Sequence, residues 1–202
     1  MLITFEGIEG SGKSTLLAGF NRALQSMGRK TVVTREPGGT ASGDAVRELF
    51  LRPGMEWSAF AETLLINASR SQLVKEVIAP ALARGEIVLC DRYIDSTIAY
   101  QAYGRGLPVE TVRELCAIAA DSVFPDLTFL VDISYETSRK RLAARDAQTD
   151  RLEQESAAFH ERVRQGYLRL ADSEPRIVRI DGERSQEEML DAVLAAFSAF
   201  AP

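Results

Sequence analysis

The run Gly7-Ile8-Glu9-Gly10-Ser11-Gly12-Lys13-Ser14 constrains this chain more than any other feature. It satisfies G-x-x-x-x-G-K-[ST] at every specified position, directly after the apolar Leu2-Ile3-Thr4-Phe5 and directly before a strongly amphipathic segment. A strand ending in such a turn, with a helix beginning there, aims successive backbone N–H groups and a positive helix end at one point. Local fold and polyphosphate site are therefore specified together. Gly7, Gly10 and Gly12 allow positive φ and close backbone approach. Lys13 is expected on the β and γ phosphates of a nucleoside triphosphate and the Ser14 hydroxyl on Mg²⁺, with Ile8, Glu9, Ser11 and Thr15 completing the contact surface.

What surrounds the turn has a matching rhythm. Apolar, β-branched runs at residues 2–5, 31–34, 87–90, 127–133 and 177–180 read as buried strands. Leu16, Leu17, Phe20, Ala23, Leu24 and Met27 recur at helical spacing and stop before Gly28, and similar periods end near Leu82, Leu170 and Phe197. Strands alternating with helices predict an α/β fold whose five-stranded parallel sheet is covered on both faces. With 202 residues, 46% hydrophobic and 26% charged, the chain is expected to form one domain over residues 1–202 rather than a disordered or modular protein.

Charge and motif counts exclude several functions. A net charge of −5 leaves no overall positive field for nucleic acid or an anionic membrane, so any anion must be gripped locally. Two cysteines, Cys90 and Cys116, are too few for a disulfide framework, and no signal-like or membrane-length apolar run occurs. A cytoplasmic protein is expected.

A metal-organising carboxylate should end a second buried strand. Asp91, after Ile87-Val88-Leu89-Cys90, has that form and is preferred because Arg92 follows it; Asp132 is the rival. Other arginines suggest a second anion site, as a phosphoryl transferase needs for its acceptor: Arg35 ends the second strand, Arg47 follows on a helix, and Arg70 and Arg92 lie at later element ends. Residues 139–151, with Arg139, Lys140, Arg141, Arg145 and Arg151, read as a basic, poorly anchored loop between helices. His160, flanked by Glu161 and Arg162, reads as solvated, and Trp57, Phe60 and Leu64 as core or dimer contact.

Taken with the glycine-rich turn, four further runs carry a family likeness: Thr34-Arg35-Glu36-Pro37-Gly38-Gly39-Thr40, Leu89-Cys90-Asp91-Arg92-Tyr93, Ala99-Tyr100-Gln101 with Gly104-Arg105-Gly106, and Asp150-Arg151-Leu152-Glu153-Gln154-Glu155. In this order they resemble bacterial thymidylate kinase over essentially the whole chain. The resemblance implies a P-loop kinase fold, a homodimer, and transfer of the ATP γ-phosphate to dTMP. It places Arg70 and Arg92, with Arg35, Glu36 and Pro37, around the dTMP phosphate, and Arg47 on the thymine O4 side. Thr97 and Gln101 take the base edge, with Ser96 beside them. Tyr100 lies under the sugar, and Glu9 faces the sugar 3′-hydroxyl and the metal region. No arginine occupies the variable turn positions 8–11, so the resemblance assigns the catalytic arginine to a lid over residues 139–151, Arg145 first and Arg151 next. Asp181, Gly182 and Arg184 are the adenine-side candidates. Relatives carry phenylalanine where this chain has Ile66, which predicts weaker selectivity for thymine. Alternative readings are another nucleoside monophosphate or deoxynucleoside kinase, or a nucleotide-gated regulatory ATPase.

Overall fold

The computed structural model describes residues 1–144 and 150–200. Five strands, β1 (Leu2–Glu6), β2 (Thr31–Arg35), β3 (Ile87–Asp91), β4 (Leu127–Asp132) and β5 (Ile177–Asp181), pair in parallel in the order β2-β3-β1-β4-β5. Each apolar run of the sequence thus becomes one strand; four gain a polar residue at the carboxyl edge, Glu6, Arg35, Asp91 and Asp181, and the run at 127–133 stops at Asp132. Sheet register sets Phe5 opposite both Asp91 on β3 and Phe129 on β4. The chain leaving β1 therefore emerges beside Asp91, where strand order reverses and open α/β sheets bind ligands.

Helices cover both faces. α1 (Lys13–Ser26) packs Phe20 against Phe5 and Phe129 of the sheet, at 6.0 and 5.8 Å between ring centroids, and α9 (Gln186–Phe200) packs Phe197 on Phe20 at 5.3 Å. The opposite face takes α2 (Ala41–Leu51), α3 (Ala59–Leu73), α4 (Ala79–Ala83), α5 (Ile94–Thr97), α6 (Val109–Ala119) and α8 (Ala157–Ser173). Thr40 and Ser156 cap α2 and α8 by accepting from the amides of Gly43 and Phe159. The helical period near Leu82 belongs to a nearly continuous rod in which a widened turn, Val74–Ile78, joins α3 to α4 just before Pro80. A second widened turn, Ile98–Gly104, carries Tyr100 and Gln101, and such turns concentrate at functional sites.

Three expectations need correction. The basic stretch starting at Arg139 is helical as far as Ala143, within α7 (Tyr135–Ala143). Ser134 caps α7, a Glu136–Lys140 pair supports it, and Arg139 anchors it by donating to the Glu153 carbonyl. Arg145 lies outside the described residues. His160 is buried rather than solvated, because α7 lays Tyr135 on its ring at 5.5 Å. Of the two readings given for Phe60 and Leu64, core or dimer contact, only the core one fails, since both keep nearly half their surface exposed. No helix among the described residues is long and apolar enough to cross a membrane.

Candidate active site

The turn between β1 and α1 is built as its glycines require. Gly7, Gly10 and Gly12 all have positive φ, and a Cβ on Gly7 would collide with the Val131 carbonyl. Lys13 opens α1 with its side chain buried beneath the turn. Burial lowers its pKa and Arg92 adds to that, while Asp91, Glu9 and Glu6 oppose it. At the edge of the turn the Ser14 hydroxyl donates to the Asp91 carboxylate. Asp132, the rival carboxylate, is taken up by Arg164 at 2.8 Å and by Arg179 at 3.4 Å. Among the described residues no three His, Cys, Asp or Glu side chains cluster to hold a metal alone. Two adjoining oxygens, from Ser14 and Asp91, do suit a magnesium ion that draws its other ligands from phosphate and water.

A cavity of about 470 Å³ runs from this turn to α3, lined by Lys13, Asp91 and Arg92 at one end and by Ile66, Arg70 and Gln101 at the other. Arg92 is its hub. It has a left-handed backbone, φ 68, held by its own N–H to the Phe5 carbonyl at 3.0 Å. Its guanidinium reaches Glu9 Oε1 at 2.9 Å, Ser96 Oγ at 3.1 Å, Tyr167 at 3.0 Å and Tyr100 at 3.3 Å. Burial opposes the ionised Glu9, yet Arg92, Lys13 and the Tyr100 hydroxyl outweigh it and hold the Glu9 carboxyl below its usual range. Glu9 Oε1 is saturated, whereas Oε2 is buried without a hydrogen-bond partner and lies 3.7 Å from His160 Nδ1.

Three cations converge at the open end. Arg47 donates to the Pro37 carbonyl at 3.0 Å, and its pKa is lowered by burial and by the neighbouring Arg35 and Arg92. Arg35 is exposed and only loosely tied to Asp44, at 3.4 Å. Guanidiniums that repel one another beside Lys13 favour an arriving anion.

Arg70 sits elsewhere. It is fully buried, with Nε and Nη2 on Glu36 at 2.6 to 3.1 Å, Nη1 on Asn67 at 2.7 Å and Nη2 on Thr97 at 2.8 Å. The structure thus groups Arg70 with Thr97 and Gln101, not with the cations at the open end. Gln101 donates to Glu62 at 3.2 Å and keeps its carbonyl oxygen buried and unpartnered. Arg151 is anchored on the α2 and α3 side, on Glu62 at 2.6 Å and the Phe50 carbonyl at 3.1 Å, away from the glycine-rich turn. Arg141 instead reaches that turn, donating to the carbonyls of Gly10, Ser11 and Gly182. Asp181 and Arg184 pair with each other on the surface next to Gly182.

Sequence reasoning missed Glu6, Glu62 and Tyr167. Glu6 is wholly buried, and burial, reinforced by Asp95, pushes its pKa up to about 7. A carboxylate closing an otherwise apolar strand was a usable signal; nothing local marks Glu62, which meets Arg105 and Arg151 only through the fold.

A phosphate-cradling turn, a carboxylate at the neighbouring strand end and a second cationic pocket facing it define a P-loop phosphoryl transferase. The family model described as thymidylate kinase matches residues 5–193. The chain is 48% identical over 199 residues to thymidylate kinase of Deinococcus radiodurans, covering 98% of this chain and 96% of that one. It is 47% identical over 191 residues to thymidylate kinase of Halothermothrix orenii, covering 94% and 92%. A crystal structure of thymidylate kinase from Ehrlichia chaffeensis superposes with a TM-score of 0.79 at 32% identity, covering 98% of each chain. The chain belongs to the thymidylate kinase family.

Proposed function

We propose that this protein transfers the γ-phosphate of ATP to dTMP, giving dTDP and ADP, with Mg²⁺ as the metal. The observation that carries this reading is the single cavity joining the Lys13 cradle to the Arg92 hub and on to the Arg70, Thr97 and Gln101 group. ATP lies on the main-chain amides of residues 7–14, with Lys13 at its terminal phosphates and Arg141 bracing the turn from behind. Arg92 and Arg47, with Arg35 at the mouth, take the acceptor phosphate. That moves Arg47 to the phosphate and Arg70 to the base side, where Arg70, neutralised by Glu36 and with its N–H groups held by protein partners, braces the wall beside Thr97 and Gln101. Tyr100 lies under the sugar, and the free Glu9 Oε2 accepts from a sugar hydroxyl.

Phosphoryl transfer needs alignment and charge neutralisation more than proton chemistry. Lys13, Arg92 and Arg47 surround the position where two phosphates meet, and the buried site strengthens each interaction. Ser14 and Asp91 would hold Mg²⁺, which supplies neutralisation of the β and γ oxygens. Arg145, placed on the lid by the resemblance, remains our choice for the transferring group; Arg151 instead ties the segment after it to the acceptor side. We also propose a single domain with its lid over residues 139–151, a cytoplasmic location, and a homodimer. The exposed Phe60 and Leu64 on α3 and Ile118 on the adjoining α6 support the dimer.

ADP release measured with ATP and dTMP, dUMP, dGMP or no acceptor tests the reading. Strong dependence on dTMP is expected; equal release without an acceptor would favour a regulatory ATPase instead.

A further inference from the structure

Glu6 has no part in the chemistry described so far, yet the Arg92 hub is built on it. Its Oε1 accepts from the Tyr93 backbone N–H at 2.8 Å, and its Oε2 from Ser96 Oγ at 2.5 Å and the Tyr167 hydroxyl at 3.1 Å. The same two hydroxyls are the acceptors for Arg92 Nη1, at 3.1 and 3.0 Å, and lie 2.7 Å from each other. Each hydroxyl owns one proton, an ionised carboxylate only accepts, and a guanidinium only donates. At 2.5 Å the contact between Ser96 and Glu6 must hold a proton, which only Ser96 can supply, and Tyr167 then gives its own to Glu6 or to the Ser96 oxygen. In either case both oxygens turn lone pairs to Arg92. An amide in place of Glu6 would donate into this cluster and turn a hydroxyl proton toward the guanidinium.

We propose that Glu6 is a positioning residue for phosphoryl transfer: by ordering the protons of Ser96 and Tyr167 it holds the Arg92 guanidinium at the acceptor phosphate. The backbone makes the same connection independently. Arg92 keeps its left-handed conformation through an N–H bond to Phe5, and the next N–H, of Tyr93, is bonded to Glu6. The last two residues of β1 therefore fix both the main chain and the side chain of the hub. This inference rests on the kinase reading, with Arg92 at the acceptor phosphate.

The test is steady-state kinetics of Glu6→Gln at about pH 8, where the native carboxylate is ionised. The KM for dTMP should rise about tenfold or more, as expected for one misdirected bond to a charged group, while the KM for ATP changes less than about twofold. In a Ser96→Ala, Tyr167→Phe background the same substitution should add less than about twofold, because no hydroxyl proton is left to misdirect. Equal rises in both KM values, or an undiminished effect in that background, would overturn the proposal. Should Glu6→Gln fail to fold, Tyr167→Phe decides: a dTMP KM raised severalfold supports the proposal and an unchanged one overturns it. If the unaltered protein releases no ADP in response to dTMP, the kinase reading falls and this inference with it; a normal dTMP response with flat variant data removes the inference alone.

Discussion

Glu36→Ala would leave the Arg70 guanidinium inside the protein without its carboxylate. Arg70 has no exposed surface, and it holds Glu36 by three contacts between 2.6 and 3.1 Å. Asn67, Thr97 and Cys116 would remain as neutral partners. They can satisfy N–H groups but cannot offset the charge, and the guanidinium cannot shed its proton. Removing one partner of a buried pair costs roughly 3–5 kcal/mol. At about 2–4 °C per kcal/mol for a chain of this size, the melting temperature should drop by about 6–20 °C. Circular dichroism against temperature and urea measures both quantities. Glu36→Met combined with Arg70→Met should recover most of the loss, since apolar side chains of similar volume often replace a buried pair at little cost. A single substitution that costs less than about 1 kcal/mol, or a double variant no more stable than the single, would refute the argument that the ion pair is what makes a buried Arg70 tolerable.

Other outcomes follow from the same structure. Ile66→Phe should raise the ratio of dTMP to dUMP turnover, because an aromatic face recovers stacking of roughly 1–3 kcal/mol per base; an unchanged ratio would remove Ile66 from the base site. The carboxyl of Glu6 has its pKa raised from 4.5 to about 7 by burial and Asp95, so proton binding favours the folded state and that contribution fades as pH rises. Relative to Glu6→Gln, the native protein should therefore lose about 3 kcal/mol of stability between about pH 4.5 and 7.5, read from urea unfolding; parallel profiles would contradict it. Asp91→Asn should raise the magnesium concentration needed for half-maximal rate at least about tenfold, since the carboxylate beside Ser14 loses its charge; an unchanged requirement would move the metal elsewhere.

How much could be read from the sequence depended on how local each cause is. The turn at residues 7–14 is specified by its own glycines and by the strand and helix on either side, so its geometry follows from contiguous residues. The strands were equally legible, because apolar β-branched runs between glycine stops leave few alternatives. Arginine roles were not legible in this way. Arg47 and Arg70 are alike in sequence, but Arg70 is neutralised by Glu36, 34 positions away, while Arg47 donates to a backbone carbonyl and feels Arg35 and Arg92 more strongly than Asp150 and Asp91. His160 carries the local signature of an exposed helix position, and it is buried by distant parts of the chain, Tyr135 from α7 and Glu9 of the glycine-rich turn. Glu6 and Tyr167, separated by 161 positions, meet at Arg92 through the sheet and α8 together.

The central claim is that Arg92 and its neighbours hold a second phosphate facing the one on the glycine-rich turn. A crystal structure with dTMP and a non-hydrolysable ATP analogue measures this directly. The account predicts the dTMP phosphate on Arg92, in line with the terminal phosphate beside Lys13. A structure in which dTMP is bound but Arg92 contacts only protein groups, with the acceptor phosphate turned to solvent, would contradict it.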